Sequence, residues 1–288
     1  MPTTLAREAH RSARGASRRT RRLTTATATL VVVAAVPTFV AEAILNGTPV
    51  MNGSARGTAL TMSALALPVL VGGLAASQRG STRGRAALIG ALAYLTYNAA
   101  LLLYATPFNE LFLAYVALLG LSFWSLVSAL LDPRPPVDPV RSLPARGMAA
   151  FILIVAGLNA VAWLRVVVPD LGEDPPGFLA GTGLTTNPIH VQDLAIWLPA
   201  LAIVAVLLWQ RRPSGIFLAG PGLVFWMIEA IGVALDQWFG HRADPTSDVA
   251  SLGGVALFAV LAGATLGPLV LWMRAFPLTA DTEGSARP

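Results

Sequence analysis

The feature that most constrains this chain is a series of eight apolar stretches, each close to the length that crosses a hydrocarbon layer. A layer of about 30 Å, at about 1.5 Å of rise per residue, takes about 20 helical residues. Runs of this kind occupy residues 23–45, 58–77, 86–105, 111–131, 147–168, 194–210, 215–236 and 250–273. The sixth is short as written. Asn187 suits an N-cap and Pro188 a first helical turn, which carries its start back to 188. A bilayer offers no water to backbone N–H and C=O groups, so each run must satisfy them internally as a helix. The expected fold class is therefore all-α, a polytopic transmembrane bundle of eight spans. Composition agrees, with 55% hydrophobic and 12% charged residues against about 25% charged in soluble domains. So few charges cannot cover a globular surface. A soluble enzyme, a DNA-binding domain and a disordered tail are all excluded as readings of the whole chain.

The positive charge sets a topology. All 20 basic residues are Arg, and most stand between apolar runs rather than on one face as in a nucleic-acid binder. With eight spans, Arg7, Arg11, Arg14, Arg18, Arg19, Arg21 and Arg22 precede the first. Arg79, Arg83 and Arg85 separate the second from the third, and Arg134, Arg141 and Arg146 the fourth from the fifth. Arg211 and Arg212 follow the sixth, and Arg274 and Arg287 the eighth. These fall on one side, against Arg56, Arg165 and Arg242 on the other. The positive-inside rule makes the Arg-rich side cytoplasmic, with both termini on it. The expected organisation is a cytoplasmic N-terminal tail (1–22), one transmembrane domain (23–273) and a cytoplasmic C-terminal tail (274–288). A competing reading takes the first run and Ala41-Glu42-Ala43 as a cleaved secretory signal, which leaves seven spans, although the run is long for that role and contains Pro37. Exclusive use of Arg with abundant Ala, Gly and Pro fits a GC-rich bacterial genome, so a bacterial plasma membrane is the expected location.

The chain has no Cys, so disulfides and thiolate chemistry are excluded. No GxGxxG, P-loop, GxSxG or HExxH pattern is present and no convincing internal repeat. The segment 132–146 is Pro-rich and reads as a stiff connection. Residues 169–192 form the longest segment on the Arg-poor side. No connection is long enough for a soluble domain, so any activity belongs to the bundle, its faces or a partner.

Two segments carry a resemblance. Ala93-Tyr94-Leu95-Thr96-Tyr97-Asn98 with 108–118 (FNELFLAYVAL), and 186–195 (TNPIHVQDLA) with Leu198-Pro199-Ala200, are similar to patterns in an uncharacterised family of bacterial multi-pass integral membrane proteins. The resemblance implies an integral membrane protein and brings no activity or substrate with it.

Chemistry must then lie with polar residues that a bilayer penalises, a central charge costing at least about 2.5–3.5 kcal/mol on insertion scales. Glu229 lies deepest in the seventh run, with Asp236 seven residues on and on the same helical face. The pair reads as a polar lining or cation site, or as structural carboxyls hydrogen-bonded to another helix. His190 and Asp193, three apart, can share a hydrogen bond that orients a ligand or simply anchors the helix start. A haem held by two histidines would also need His241, which reads as a loop residue. Arg165 either snorkels to headgroups or pairs with Glu42, Glu110, Asp193, Glu229 or Asp236. Tyr94, Tyr97 and Asn98 of the third run, with Asn109 and Glu110 before the fourth, are hydrogen-bonding groups that line a site or join helices. The candidate ligand-binding set is Glu229, His190, Asp193, Tyr97, Asn98, Glu110, Arg165 and Asp236. No catalytic residue, metal or cofactor is expected. Gly263 and Gly267 form a small-xxx-small contact within the chain or in a homodimer. Three function classes survive: a permease-like or small-ligand-binding bundle taking a small solute or cation, a membrane-embedded enzyme or cofactor protein using His190, Asp193 and Glu229, and an accessory or sensor subunit.

Overall fold

The computed structural model describes residues 15–133 and 142–276; most of the Pro-rich connection, the first Arg residues and the C-terminal tail lie outside them. The described residues form helices and turns without strands, and eight helices are long and apolar enough to cross a membrane. They are α1 (Arg18–Val40), α2 (Pro49–Gln78), α3 (Thr82–Tyr104), α4 (Phe112–Leu131), α5 (Ala145–Asp170), α6 (Pro188–Trp209), α7 (Pro213–Ala243) and α8 (Leu252–Ala275). Their ends differ from the hydropathy limits. Ser17 caps α1, its hydroxyl accepting from the Thr20 N–H at 3.1 Å, so Arg18, Arg19, Arg21 and Arg22 are helical rather than tail. α2 starts at Pro49, well ahead of 58, and α7 runs to Ala243, past 236. His241 therefore stands in the last turn of α7 and not in a loop. α6 does begin at Pro188, where the Asn187 Oδ1 accepts from the Ile189 N–H at 2.9 Å.

α1 to α4 close a four-helix ring, α1 packing on both α2 and α4 and α3 on both α2 and α4. α7 docks across α2 and α3, and α6 and α8 flank it, with α5 behind α6. The core sits along α3, whose apolar window is 78% buried, while only 6% of that of α8 is covered. Three hydroxyl pairs join α1 to α4, Thr20–Ser128 at 2.8 Å, Thr27–Ser125 at 2.9 Å and Thr38–Tyr115 at 2.6 Å. They satisfy polar groups that a buried face cannot leave open.

The helix ends gather in two layers. In one, the Ser17 N–H donates to Asp132 at 2.9 Å, Gln78 to the Ala16 carbonyl at 3.1 Å and Arg83 to the Phe276 carbonyl at 2.6 Å. Arg85 is buried there and donates to the carbonyls of Ala129, Asp132 and Pro133 at 3.2, 2.6 and 2.7 Å. It satisfies the C-terminal carbonyls of α4 that no helix can bond internally. The other layer holds Arg56, Arg165 and Arg242.

Two helices are interrupted alike. A π-turn spans Met62–Ala66 in α2 and closes with the Leu67 N–H on the Met62 carbonyl; another spans Asp193–Trp197 in α6 and closes with Leu198 on Asp193. A proline follows each one residue later, Pro68 after Leu67 and Pro199 after Leu198. A proline would drive its ring into the carbonyl four residues back, here Ala64 or Ala195, and the wider turn relieves that clash. Pro37, Pro221 and Pro268 lie inside unbroken α-helix.

The tightest crossing is α2 on α7. A Cβ on Gly57 would stand 2.6 Å from the Asp236 backbone nitrogen, and one on Gly240 would stand 2.7 Å from the Ser54 hydroxyl. Gly53 and Gly57 are therefore the small-xxx-small pair that joins helices. Among the described residues no atom lies within 4 Å of a Cβ on Gly263 or Gly267, so none of them makes the intra-chain contact expected there.

Candidate functional site

Three carboxyls from α6 and α7 face the second half of α3, in the layer away from most of the Arg. The π-turn of α6 sets Asp193 inward, where its Oδ2 accepts from the Trp163 indole N–H of α5 at 2.7 Å. The Tyr97 hydroxyl and Asn159 also face this carboxyl. Glu229 accepts from the Asn98 amide at 2.8 Å, and the same amide donates to the Tyr94 carbonyl at 3.2 Å. Asp236 accepts from the Thr58 hydroxyl of α2 at 3.1 Å. Every partner is neutral. The side-chain charges that reach Glu229 are those of Asp236 and Asp193, both of its own sign.

Tyr97 stands at the centre of this belt. It is buried, faces Asp193 with its hydroxyl and packs edge-on against Trp197 and Phe225, with centroids 5.8 and 5.9 Å away. Trp197 and Phe225 stack on each other at 5.1 Å. Gln192 donates to the Tyr97 carbonyl at 3.4 Å, tying the first turns of α6 to α3. The aromatic wall gives the belt an apolar side, a composition typical of small-molecule sites.

His190 and Asp193 do not share a hydrogen bond. The indole of Trp163 takes the carboxyl instead, and His190 lies against that indole at 4.6 Å and against Phe178 at 5.4 Å. Its Nδ1 is buried without a hydrogen-bond partner. Arg165 is exposed in the last α-helical turn of α5 and pairs with none of the five acids considered for it; Glu42 pairs instead with Arg56 at 2.7 Å. Glu110 is exposed and lines a separate cleft of about 810 Å³ with Ile44, Asn46, Phe108, Asn109 and Leu113. Of the candidate residues, Tyr97, Asn98, Asp193, Glu229 and Asp236 thus share one polar belt, His190 adjoins it through Trp163, and Glu110 and Arg165 stand apart. Among the described residues no three His, Asp or Glu side chains are grouped so as to hold a metal ion.

Sequence reasoning missed Thr58, Trp163 and Asn159. Thr58 opened an apolar run and read as its edge, and Trp163 lay unremarked inside one. Only the crossing of helices brings them to the acids. No family model, curated protein or solved structure matches the chain.

Proposed function

We propose that the chain is a multi-pass protein of a bacterial plasma membrane, with both termini cytoplasmic, and that it works as a permease-like bundle for a small solute or cation. The observation that carries the reading is the belt of Asp193, Glu229 and Asp236, satisfied by Trp163, Asn98 and Thr58 without a countercharge. Acids within a span usually face a cavity or pathway, and an acidic layer favours cations over anions. The paired interruptions support the same reading. α2 and α6 are each interrupted ahead of a proline, and interrupted spans of this kind can frame transporter sites. With the Arg-rich layer cytoplasmic, the belt lies in the outer half of the membrane. Purified protein in liposomes tests the proposal with a panel of small organic cations, amino acids and inorganic cations. Flux or binding of one of them, lost in Glu229→Gln, is expected. No flux or binding with any, together with a Glu229→Gln variant indistinguishable from wild type, overturns it.

A further inference from the structure

Tyr94 is fully buried, and its hydroxyl has no hydrogen-bond partner. A polar group so placed costs about 1–3 kcal/mol in proteins, and in a native structure its position calls for a reason. The reason lies in where it points. On α7, Glu229, Gly232 and Asp236 follow at steps of three and four, so they share one face. Gly232 stands between the two acids, and a Cβ there would be 3.0 Å from the Tyr94 Oη and 3.4 Å from the Thr61 Cγ2. The missing side chain is a notch, and the hydroxyl of α3 enters it. Thr61 is the side chain nearest the hydroxyl on α2, and its own O–H is given to the Gly57 carbonyl at 3.0 Å.

The two acids are seven residues apart, about 10 Å along the helix. That is too far for direct proton exchange, which needs a hydrogen bond, and the Tyr94 hydroxyl divides the gap. The groups facing this stretch are Ser54, Thr58 and Thr61 of α2, Tyr94, Tyr97 and Asn98 of α3, and Asp193 of α6. No cation is among them. A fixed positive charge would hold the acids as carboxylates, and hydroxyls and an amide leave them able to take up and release a proton.

We propose that Asp236, Tyr94 and Glu229 form a proton path along α7, open at Asp236 and ending at Glu229, so that the coupling ion of the proposed permease is the proton. Asp236, part-exposed two turns before the end of α7, takes a proton from outside water and passes it to a bridging water. That water protonates the Tyr94 oxygen as the tyrosine O–H gives its own proton through a second water to Glu229. Asp236, the two waters and Tyr94 each gain one O–H bond and lose one, the outside water loses one and the Glu229 carboxylate gains one, so that one proton is moved; release from Glu229 runs the same steps in reverse. The inference rests on the permease reading, and its test is separable from solute flux. Protein in lipid nanodiscs is transferred to heavy water while the infrared carboxyl C=O band is followed. Wild type should show a protonated-carboxyl band with a rapidly exchanging component that is lost in Glu229→Gln. In Tyr94→Phe and Asp236→Asn the exchange should slow by about a hundredfold or more, the scale on which a positioned proton donor acts. Gly232→Ala, which keeps the tyrosine and fills the notch, should slow it likewise, and covers the case in which Tyr94→Phe misfolds. A wild-type protein without that band, or exchange unchanged in both Asp236→Asn and Gly232→Ala, overturns the proton path. Solute flux lost in Glu229→Gln alongside unchanged exchange would leave the permease reading standing without it.

Discussion

Gly57→Ala is the most direct probe of the packing that builds the site. The added methyl would stand 2.6 Å from the Asp236 nitrogen and 2.7 Å from its Cα, all backbone of α7. Ordinary contact needs about 3.5–4.0 Å, so the helices must part by about 1 Å. Backbone cannot rotate aside as a side chain can, and overpacking of this kind costs about 1–3 kcal/mol. Gly72→Ala is the control. Nothing lies within 4 Å of a Cβ there, and alanine should be neutral or stabilising by up to about 1 kcal/mol through helix propensity. Unfolding of both variants in mixed detergent micelles, followed by tryptophan fluorescence, should rank Gly57→Ala below wild type by at least about 1 kcal/mol, a fivefold change in the unfolding equilibrium. The displacement should also stretch the Thr58–Asp236 hydrogen bond, one residue along α2. A Gly57→Ala protein as stable as Gly72→Ala would refute the close crossing of α2 and α7, and with it the placement of Asp236.

Trp163→Phe keeps a ring beside His190 and removes the indole N–H from Asp193; thermal unfolding should show a loss of about 1–3 kcal/mol, and Asp193→Asn in the same background should recover part of it. Arg85→Ala leaves three carbonyls at the end of α4 without their donor and should cost at least about 2 kcal/mol by the same measurement, with Arg85→Lys intermediate because one ammonium cannot span the fork. In the α7–α8 connection, the Thr246 hydroxyl and then its N–H hold the Asp244 carboxyl below its ordinary range. A depressed folded-state value means the turn is favoured above the ordinary carboxylate pKa and loses that contribution as pH falls through the lowered one. Carbon-13 NMR titration of Asp244 should show the low value, and Thr246→Val should move it upward.

The number of spans was legible because about 20 apolar residues in a row have few other folds open to them. Their ends were not. The first turns of α2 carry Asn52, Ser54 and Arg56, which hydropathy counts as connection. They are helical because Gly53 and Gly57 let that face lie on α7, and because Arg56 reaches the Phe39 carbonyl at 3.0 Å and Glu42 at 2.7 Å. Asp193 and Glu229 could be singled out since an acid in an apolar run demands an explanation. Asn98 could be singled out as well, but Trp163 beside Asp193 and Thr58 beside Asp236 could not, because they become partners only through the crossing of α5 and α2 with α6 and α7. By spacing alone Gly53–Gly57 and Gly263–Gly267 are equivalent. What separates them is the backbone that comes to meet the first pair.

That close approach also accounts for the neutrality of the site. Gly57 brings α2 against the backbone of Asp236, and Gly232 admits the ring of Tyr94 to the same face of α7. Gly90 does the same one helix over, where a Cβ would stand 2.7 Å from the Pro221 carbonyl. Helices held this near leave room between them for a threonine, an amide or a phenol edge, and not for the long stem of an arginine. The acids therefore meet short hydrogen-bond donors in place of cations. Among the described residues arginine keeps to the outer turns of the helices, where Arg85 and Arg83 grip carbonyls and Arg56 lies at about 5.8 Å over Phe39. The glycines that set the distances between α2, α3 and α7 thereby set the chemistry, because they decide which partners an intramembrane carboxyl can have.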